Sequence, residues 1–375
     1  MRIVAIEATP VAVPFKEGVG TVVTSRLVLH DSRHVIVRLH TDEGIHGTGE
    51  ALPRPSSYGE TIESILAILE QVLAPLVLGA DPFEIEALWQ RLDGVGENTT
   101  SKCAIETACH DIIGKACGQP IHRLLGGYRG DRIPLTMPIA MGSEEDVVRQ
   151  AKDAVAEGYR SVKVKVGKDL RRDAGVVEAV RSAIGDDVAL YVDANQGYSS
   201  SDALKAGRIF ETLGVDLFEE PVAASDDRTR LRLSQTTAVP LLLDESIETP
   251  ADAQRAIALG TAGAFSVRSP RLGFAGNRKL VAVAEAGGVP CVAGSHREAG
   301  VGTAATAHLA AAFAAMSLPA ELGVHALLSD GLLTEPLEIA GGHLTVPAGP
   351  GLGIEVDDEK LDRYRLGATR KWKEG

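Results

Sequence analysis

Ser161-Val-Lys-Val-Lys-Val-Gly167 alternates apolar and polar residues, the period of a β-strand. Val162, Val164 and Val166 point to one side, and Lys163 and Lys165 to the other. Two ammonium groups at neighbouring positions on one face repel each other, so that face is either solvated or met by anions. Three acids downstream supply the anions. Asp193 closes the run Tyr191-Val-Asp, Glu219 closes Leu217-Phe-Glu, and Asp244 closes Leu241-Leu-Leu-Asp. They recur at about 25 residues, roughly one strand plus its crossover helix.

The chain has 375 residues, enough to bury a full-sized core in one or two domains. Its apolar fraction of 45% and charged fraction of 24% are those of an ordinary globular protein. A net charge of −13 with no long Lys/Arg run argues against nucleic acid or an anionic membrane as partner. Cys103, Cys109, Cys117 and Cys291 form no C-x-x-C pair and read as free core thiols in a reducing compartment. Met1-Arg-Ile-Val-Ala-Ile-Glu7 opens a strand rather than a signal peptide, and no apolar run reaches spanning length. These features point to a cytoplasmic protein.

The pattern divides the chain at 1–130, 131–331 and 332–375. The first part starts with strands over 3–14, 35–42 and 45–51, the last two joined by a turn at Asp42-Glu-Gly44. Loops follow the first strand (16–25) and the last (53–58). Helical spacing then runs over 60–78, 82–92 behind an Asp81 cap, and 101–118. From Ile133 strands and helices alternate, with strands expected at 135–140, 161–166, 189–193, 217–219, 240–244, 264–267, 290–293 and 317–321. About eight βα units in roughly 200 residues argue for a (β/α) barrel over an open sheet. The tail is too small for a core of its own and is expected to return to the N-terminal part.

Active sites of such barrels lie at the C-terminal strand ends. Lys163, Lys165, Asp193, Glu219, Asp244, Arg271, His296 and Glu321 all fall there. Three carboxylates from adjacent strands make an all-oxygen set suited to Mg²⁺ or Mn²⁺, and the lack of a His or Cys in the set disfavours Zn²⁺. A divalent cation opposite lysines suits removal of a proton α to a carboxylate, because it stabilises the enediolate that results. Lys165 would then be the base or acid, and Lys163 would tune it and touch the substrate carboxylate.

The chain resembles the enolase superfamily, within it the muconate lactonizing enzyme (muconate cycloisomerase) subgroup of the mandelate racemase/muconate lactonizing enzyme family. The likeness spans nearly all of it: Gly49-Glu50-Ala51, Leu124-Leu-Gly-Gly127, Lys163-x-Lys165, Asp193-Ala-Asn-Gln196, Glu219-Glu-Pro221, Asp244-Glu-Ser246 and Gly300-Val-Gly-Thr-Ala304. The resemblance implies a modified (β/α)7β TIM barrel with an α+β capping domain built from both chain ends. It also implies Asp193, Glu219 and Asp244 as ligands of Mg²⁺, and a substrate lid from loops near 19–25 and 53–58. Glu298 and Glu321 match acids near the site and are expected to bind substrate or orient its cationic contacts. The superfamily forms dimers to octamers, so a homo-oligomer is expected.

The sequence departs from the subgroup at the sixth strand end. A lysine belongs there, and Val267-Arg-Ser-Pro-Arg-Leu-Gly-Phe274 instead offers Arg271. Arginine stays protonated and cannot act as a base. One-base chemistry through Lys165 therefore fits best: cycloisomerisation, or syn dehydration of a hydroxy acid or hydroxylated amino acid. His296 stands where mandelate racemases carry a catalytic His, which keeps a racemase or epimerase using Lys165 and His296 in view. The acid that backs such a His is replaced by Arg268. Glu321-Leu-Gly323 lacks the Asp-x-Asp of dipeptide epimerases. A barrel that binds metal and carboxylate without turnover is the remaining reading.

Overall fold

The computed structural model describes residues 1–17, 22–23, 28–128 and 130–373. Of the expected lid segment 19–25, only the strand Val22–Val23 falls within them, antiparallel to Val28–Leu29; the rest lies outside the described residues.

The N-terminal sheet is an antiparallel meander of β1 (Ile3–Pro14), β2 (Asp31–Thr41) and β3 (His46–Ala51). Helices α1 (Ile62–Ile68), α2 (Ile85–Leu92) and α3 (Thr99–Cys117) cover one face of it. Ile6, Val35, Val37 and Leu39 pack there with Ile65, Leu69, Ile105 and Ile112. Gly47 and Gly49 set the closeness of that contact. A Cβ at either would stand 2.0 Å from the Ala108 carbonyl oxygen or 1.9 Å from that of Ala104, so only glycine lets α3 lie on β3.

The barrel follows. Strands β4 (Met137–Ile139), β5 (Ser161–Lys165), β6 (Ala189–Asp193), β7 (Leu217–Glu219), β8 (Leu241–Leu243), β9 (Ala264–Val267) and β10 (Cys291–Ala293) are parallel and adjacent in chain order. Between them run α4 (Glu144–Ala156), α5 (Leu170–Ile184), α6 (Ser200–Thr212), α7 (Asp227–Thr236), α8 (Pro250–Leu259) and α9 (Ser269–Ala286), and α10 (Gly300–Ala312) follows β10. The segment ending at Glu321 closes the ring. Thr136 N donates to Ala320 O and Ala320 N to Pro134 O, both at 2.8 Å, while Glu321 N donates to Ala293 O at 2.8 Å. The fold is thus a (β/α)7β barrel under an α+β cap. Tyr191, Leu217, Leu242, Ala264 and Val292 fill its interior. Two residues on from three of them, on the same face, stand Asp193, Glu219 and Asp244.

Several elements differ from the sequence reading. The first barrel strand is shorter because Leu135 N is taken by Gly342 O. The helix expected over 60–78 contains a wide turn at Leu69–Leu73. The expected Asp81 cap accepts from Phe83 N at 3.0 Å instead, in a turn before α2. Helix α9, which the helical spacing places at 276–286, starts at Ser269 and bends at Gly273, whose φ is +60°. The tail divides: β11 (Arg370–Lys373) pairs with β1, whereas His343–Thr345 pairs with Arg132–Pro134 at the foot of the barrel. All four cysteines are free thiols. No helix among the described residues is long and apolar enough to cross a membrane.

Buried carboxylates of the cap hold it to the barrel. Glu50 of β3 accepts from Ala299 N (2.7 Å) and Gly302 N (2.8 Å) at the start of α10, and from His34 Nδ1 (2.7 Å). Glu106 of α3 accepts from Phe274 N and Ala275 N, both at 2.7 Å, where α9 restarts after its bend. Asp111 accepts from Leu352 N at 2.8 Å. Each meets amides left without an intrahelical or ladder partner.

Candidate active site

A cavity of about 440 Å³ opens at the C-terminal strand ends beneath the 53–58 loop of the cap. Lys163, Lys165, Asp193, Asp244, Arg271, His296 and Glu321 all line it. The strand register does this. Lys165 pairs with Asp193 across β5–β6, and Asp193 with Glu219 across β6–β7, so consecutive strands deliver their last inward residue to one level.

Lys163 is buried at the centre of three acids. Its Nζ lies 2.5 Å from Glu321 Oε1, 2.9 Å from Glu219 Oε2 and 3.3 Å from Asp193 Oδ2. Burial disfavours its charge, but Glu219, Glu321 and Asp193 outweigh that and hold it well above the usual lysine range. Lys163 is therefore a fixed ammonium. Lys165 is less buried; its Nζ donates to Asp193 Oδ2 and, at 3.0 Å, to Asn195 Oδ1. The two lysines tolerate each other because anions stand between them.

Glu219 is pushed well above the ordinary carboxylate range, first by burial and then by Asp193. Its Oε1 is buried with no hydrogen-bond partner among the described residues. An orphaned carboxylate oxygen beside two more carboxylates suits a hard divalent cation in chemistry and place. The set is not gathered around one point as it stands, and no three His, Cys, Asp or Glu among the described residues are. The reason is Arg268. Its Nη2 lies 2.5 Å from Asp244 Oδ2 and 3.8 Å from Glu219 Oε1, between the two acids. Arg271 takes the other side of Asp244, donating to Oδ1 at 2.7 Å and to the Asp244 carbonyl at 2.8 Å. Burial would raise the Asp244 carboxyl, but the two guanidiniums outweigh it and keep it ionised.

The structure thus reassigns the sixth strand end. Arg268 directly follows β9, and Arg271 lies a turn later in α9. Both face the cavity, so the expected single arginine is a pair. His296 lies on the next loop, its ring centroid 5.0 Å from that of Tyr58 on the cap. Burial, then Arg268 and Arg271, hold its imidazole neutral, well below the usual histidine range. Glu298, expected to bind substrate, is not in the cavity wall. It accepts from Ser295 Oγ and from His296 N (2.9 Å) and so fixes the turn that carries His296. Glu245, beside Asp244, lines the cavity with its carboxyl pushed up to about 8 by burial and then by Asp244.

Arg54, Tyr58, Asn195, Arg268 and Arg297 also line the cavity and were not among the site residues read from sequence. The signal for Arg268 was its place directly after the strand run. The other residues sit on loops, where no periodicity aims a side chain.

The mandelate racemase/muconate lactonizing enzyme N-terminal domain model matches residues 2–126, and the enolase C-terminal domain-like model matches residues 146–360. The chain is 31% identical to the N-succinyl-L-Arg/Lys racemase of Bacillus cereus, over 98% of each chain. It is also 31% identical to muconate cycloisomerase 1 of Pseudomonas putida, over 94% of this chain and 93% of that one. Among solved structures, the muconate lactonizing enzyme of Mycobacterium smegmatis complexed with muconolactone superposes with a TM-score of 0.93 at 37% identity, covering 98% of this chain and all of that one. Two domain models across most of the chain, and relatives of matching length, lead to one conclusion: the chain belongs to the mandelate racemase/muconate lactonizing enzyme family of the enolase superfamily.

Proposed function

We propose that the protein moves a proton on or off the carbon α to the carboxylate of a small acid through one acid/base, Lys165, as a neighbouring C–O bond forms or breaks, in a cycloisomerase-like reaction. The observation that carries this reading is the asymmetry of the cavity. The Lys165 amine stands on one wall against Asp193 and Asn195, and the sixth strand facing it ends in Arg268 with Arg271 close behind, neither of which releases a proton near neutral pH. A racemase needs an acid or base on each face of its substrate. His296 is the only titratable imidazole among the described lining residues, and the guanidiniums around it disfavour the imidazolium it would have to become.

Lys163, kept as an ammonium by its three acids, meets the substrate carboxylate. In the cyclising direction a carboxylate oxygen of the substrate adds to its double bond and Lys165 gives a proton to the carbon α to the other carboxylate. In reverse Lys165 takes that proton as the ring C–O bond on the neighbouring carbon breaks, both on the same face. Arg268 and Arg271 hold the negative charge that collects on the substrate oxygens. A divalent cation, Mg²⁺ by family habit, would be held by Asp193, Glu219 and Asp244 and would supply further charge to those oxygens. Asp244 joins that set where Arg268 gives up Oδ2. Syn dehydration of a hydroxy acid needs the same single base and is the neighbouring reaction. We infer that the protein works as a homo-oligomer on a small carboxylate substrate.

The test is proton NMR in D₂O with Mg²⁺, using cis,cis-muconate, hydroxy acids and N-succinyl amino acids. One stereospecific deuterium in a lactone, or loss of water, with nothing formed by Lys165→Ala, is the expected result. Inversion of an N-succinyl amino acid with α-deuterium would require a second acid/base and overturn the one-base reading.

A further inference from the structure

Lys165 finds both of its partners on the next strand. Its amine donates to Asp193, the last residue of β6, and to Asn195 in the turn that follows. That turn is not relaxed. Asn195 has a φ of +43° and Gln196 a φ of +63°, backbone that side-chain-bearing residues keep only where the surroundings fix it. Backbone bonds do part of the fixing: Gln196 N donates to Glu220 O at 2.7 Å, and Tyr198 N to Pro221 O at 3.2 Å. The turn after β5 lies directly against it. A Cβ on Gly167 would stand 2.5 Å from Ala194 O, so the two turns meet backbone to backbone.

One buried side chain joins them. Asp173, in the first turn of α5, has no exposure. Its Oδ2 accepts from Gly167 N at 2.8 Å and Lys168 N at 3.3 Å, in the turn after β5, and from Tyr198 Oη at 2.8 Å, at the end of the turn after β6. Its Oδ1 accepts from Arg172 Nη1 at 2.9 Å, and the same guanidinium donates to Gly142 O at 2.7 Å in the loop after β4. Helix capping does not account for this carboxylate, because Asp169 already accepts from Arg172 N at 2.8 Å at the start of α5. Contact with a ligand does not either, because Asp173 is not among the residues that line the cavity. Its charge-assisted bonds instead tie three consecutive strand-end loops together from behind.

We propose that Asp173 is a positioning residue: by tying the turn after β5 to Tyr198, it holds Asn195 and Asp193 against Lys165 and so sets where the Lys165 amine stands. The proposal rests on the reading of Lys165 as the acid/base. Lys163 is placed differently. It lies two residues back along β5 and is held by Glu321, Glu219 and Asp193 from three strand ends, so Asp173 is not needed to keep it in place.

The experiment uses the full chain with Mg²⁺ and two readouts. Asp173→Ala should lower kcat about 10–100-fold with KM within about twofold, because a small displacement of the reacting group costs rate and not binding. Asp173→Asn, which can still aim one carbonyl oxygen at Gly167 and Tyr198, should recover part of the loss. Tyr198→Phe, which removes one donor of three, should lower kcat about threefold. Adding Asp173→Ala to Lys165→Ala should reduce its residual turnover no further. The second readout needs no substrate. Acetic anhydride labelling, read by peptide mass, reports how firmly each amine is held. Lys165 should label at least about threefold faster in Asp173→Ala, while Lys163 and the buried Lys102 of the cap stay as in the parent. A KM effect without a kcat effect, a further loss in the double variant, or unchanged Lys165 labelling overturns the proposal. Faster labelling of Lys102 and Lys163 together with Lys165 also overturns it, since the fold would then have loosened as a whole. Full turnover in Lys165→Ala would defeat the one-base reading, and the labelling would still decide whether Asp173 positions the amine.

Discussion

Buried carboxylates serve two regions of this molecule in opposite ways. At the barrel mouth Asp193, Glu219 and Asp244 face ammonium and guanidinium groups on flexible side chains. Along the cap–barrel contact Glu50 and Glu106 face backbone amides at helix starts. Amides are fixed in place and carry no net charge, so those carboxylates have one arrangement and serve as rivets. Cationic side chains can swing aside for a ligand, so the carboxylates of the mouth can change partners. Placement decides the role here, since both sets are Asp and Glu with almost no exposure.

The largest effect that would test this contrast is at the mouth. Lys165→Ala should reduce turnover about 10²–10⁴-fold while leaving the unfolding midpoint nearly unchanged, because Asp193 keeps Lys163 and the amide of Asn195. Turnover and thermal unfolding measured on one preparation would check it. A large loss of stability would mean that Lys165 is a structural partner of Asp193.

The next effect is on stability and follows pH. His308 of α10 is buried, its Nε2 donating to Leu352 O at 3.0 Å while its Nδ1 lies 3.3 Å from the donating His122 amide. Both nitrogens are committed in the neutral form. Burial, outweighing the pull of Leu352 O, pushes the imidazole down to about 4. The unfolded chain, near 6.5, binds the proton more readily. The stabilisation is therefore complete above about pH 6.5 and is lost as pH falls toward 4, by about 3 kcal/mol in full. Urea midpoints from pH 8 to 4 should fall in that window, and less steeply in His308→Gln. An unchanged slope in the variant would place the acid sensitivity elsewhere.

How much of this was legible in sequence differs between the two regions for the same physical reason. The mouth acids each end an apolar run, and strand periodicity aims them, so Lys163, Lys165, Asp193, Glu219 and Asp244 could be read together. Glu106 and Asp111 sit in a helix whose buried face is wide, among residues as small as Ala104 and Ala108. In sequence they look like ordinary solvated helix charges, and only the fold shows what they cap. Glu50 was visible within Gly49-Glu50-Ala51, but its amide partners lie about 250 residues away, at 299 and 302. Arg268 and Arg297 follow strands at positions where a turn, not a period, sets direction.

Glu106→Gln tests the rivets directly. The amide keeps the shape but exchanges one acceptor for a donor, which then faces the N–H of Phe274 or Ala275. Leaving a buried amide unpaired costs about 1–3 kcal/mol, so unfolding should shift by several degrees. The site cannot relax easily, since Gly273 approaches so closely that a Cβ there would stand 1.7 Å from Glu106 Oε2. Carboxylate binding at the mouth should hold. A variant as stable as the parent would mean that Glu106 is already protonated in the fold, toward which burial pushes it.

Glu86 supplies the smallest effect and the control. It also joins cap to α9, through Arg278 at 3.5 Å and Lys279 at 3.1 Å, but all three side chains are more than half exposed. Water and salt screen such pairs, and ordering three long side chains offsets much of their attraction. Glu86→Gln should therefore cost less than about 0.5 kcal/mol, with the difference vanishing in molar salt. The two glutamates reach the same helix from the same domain and differ chiefly in what surrounds them. A loss at Glu86 as large as that at Glu106 would mean that net charge across the contact, rather than satisfied amides, holds the cap in place. The separation of rivets from exchangeable site acids would then fail, because both regions would depend on cationic side chains.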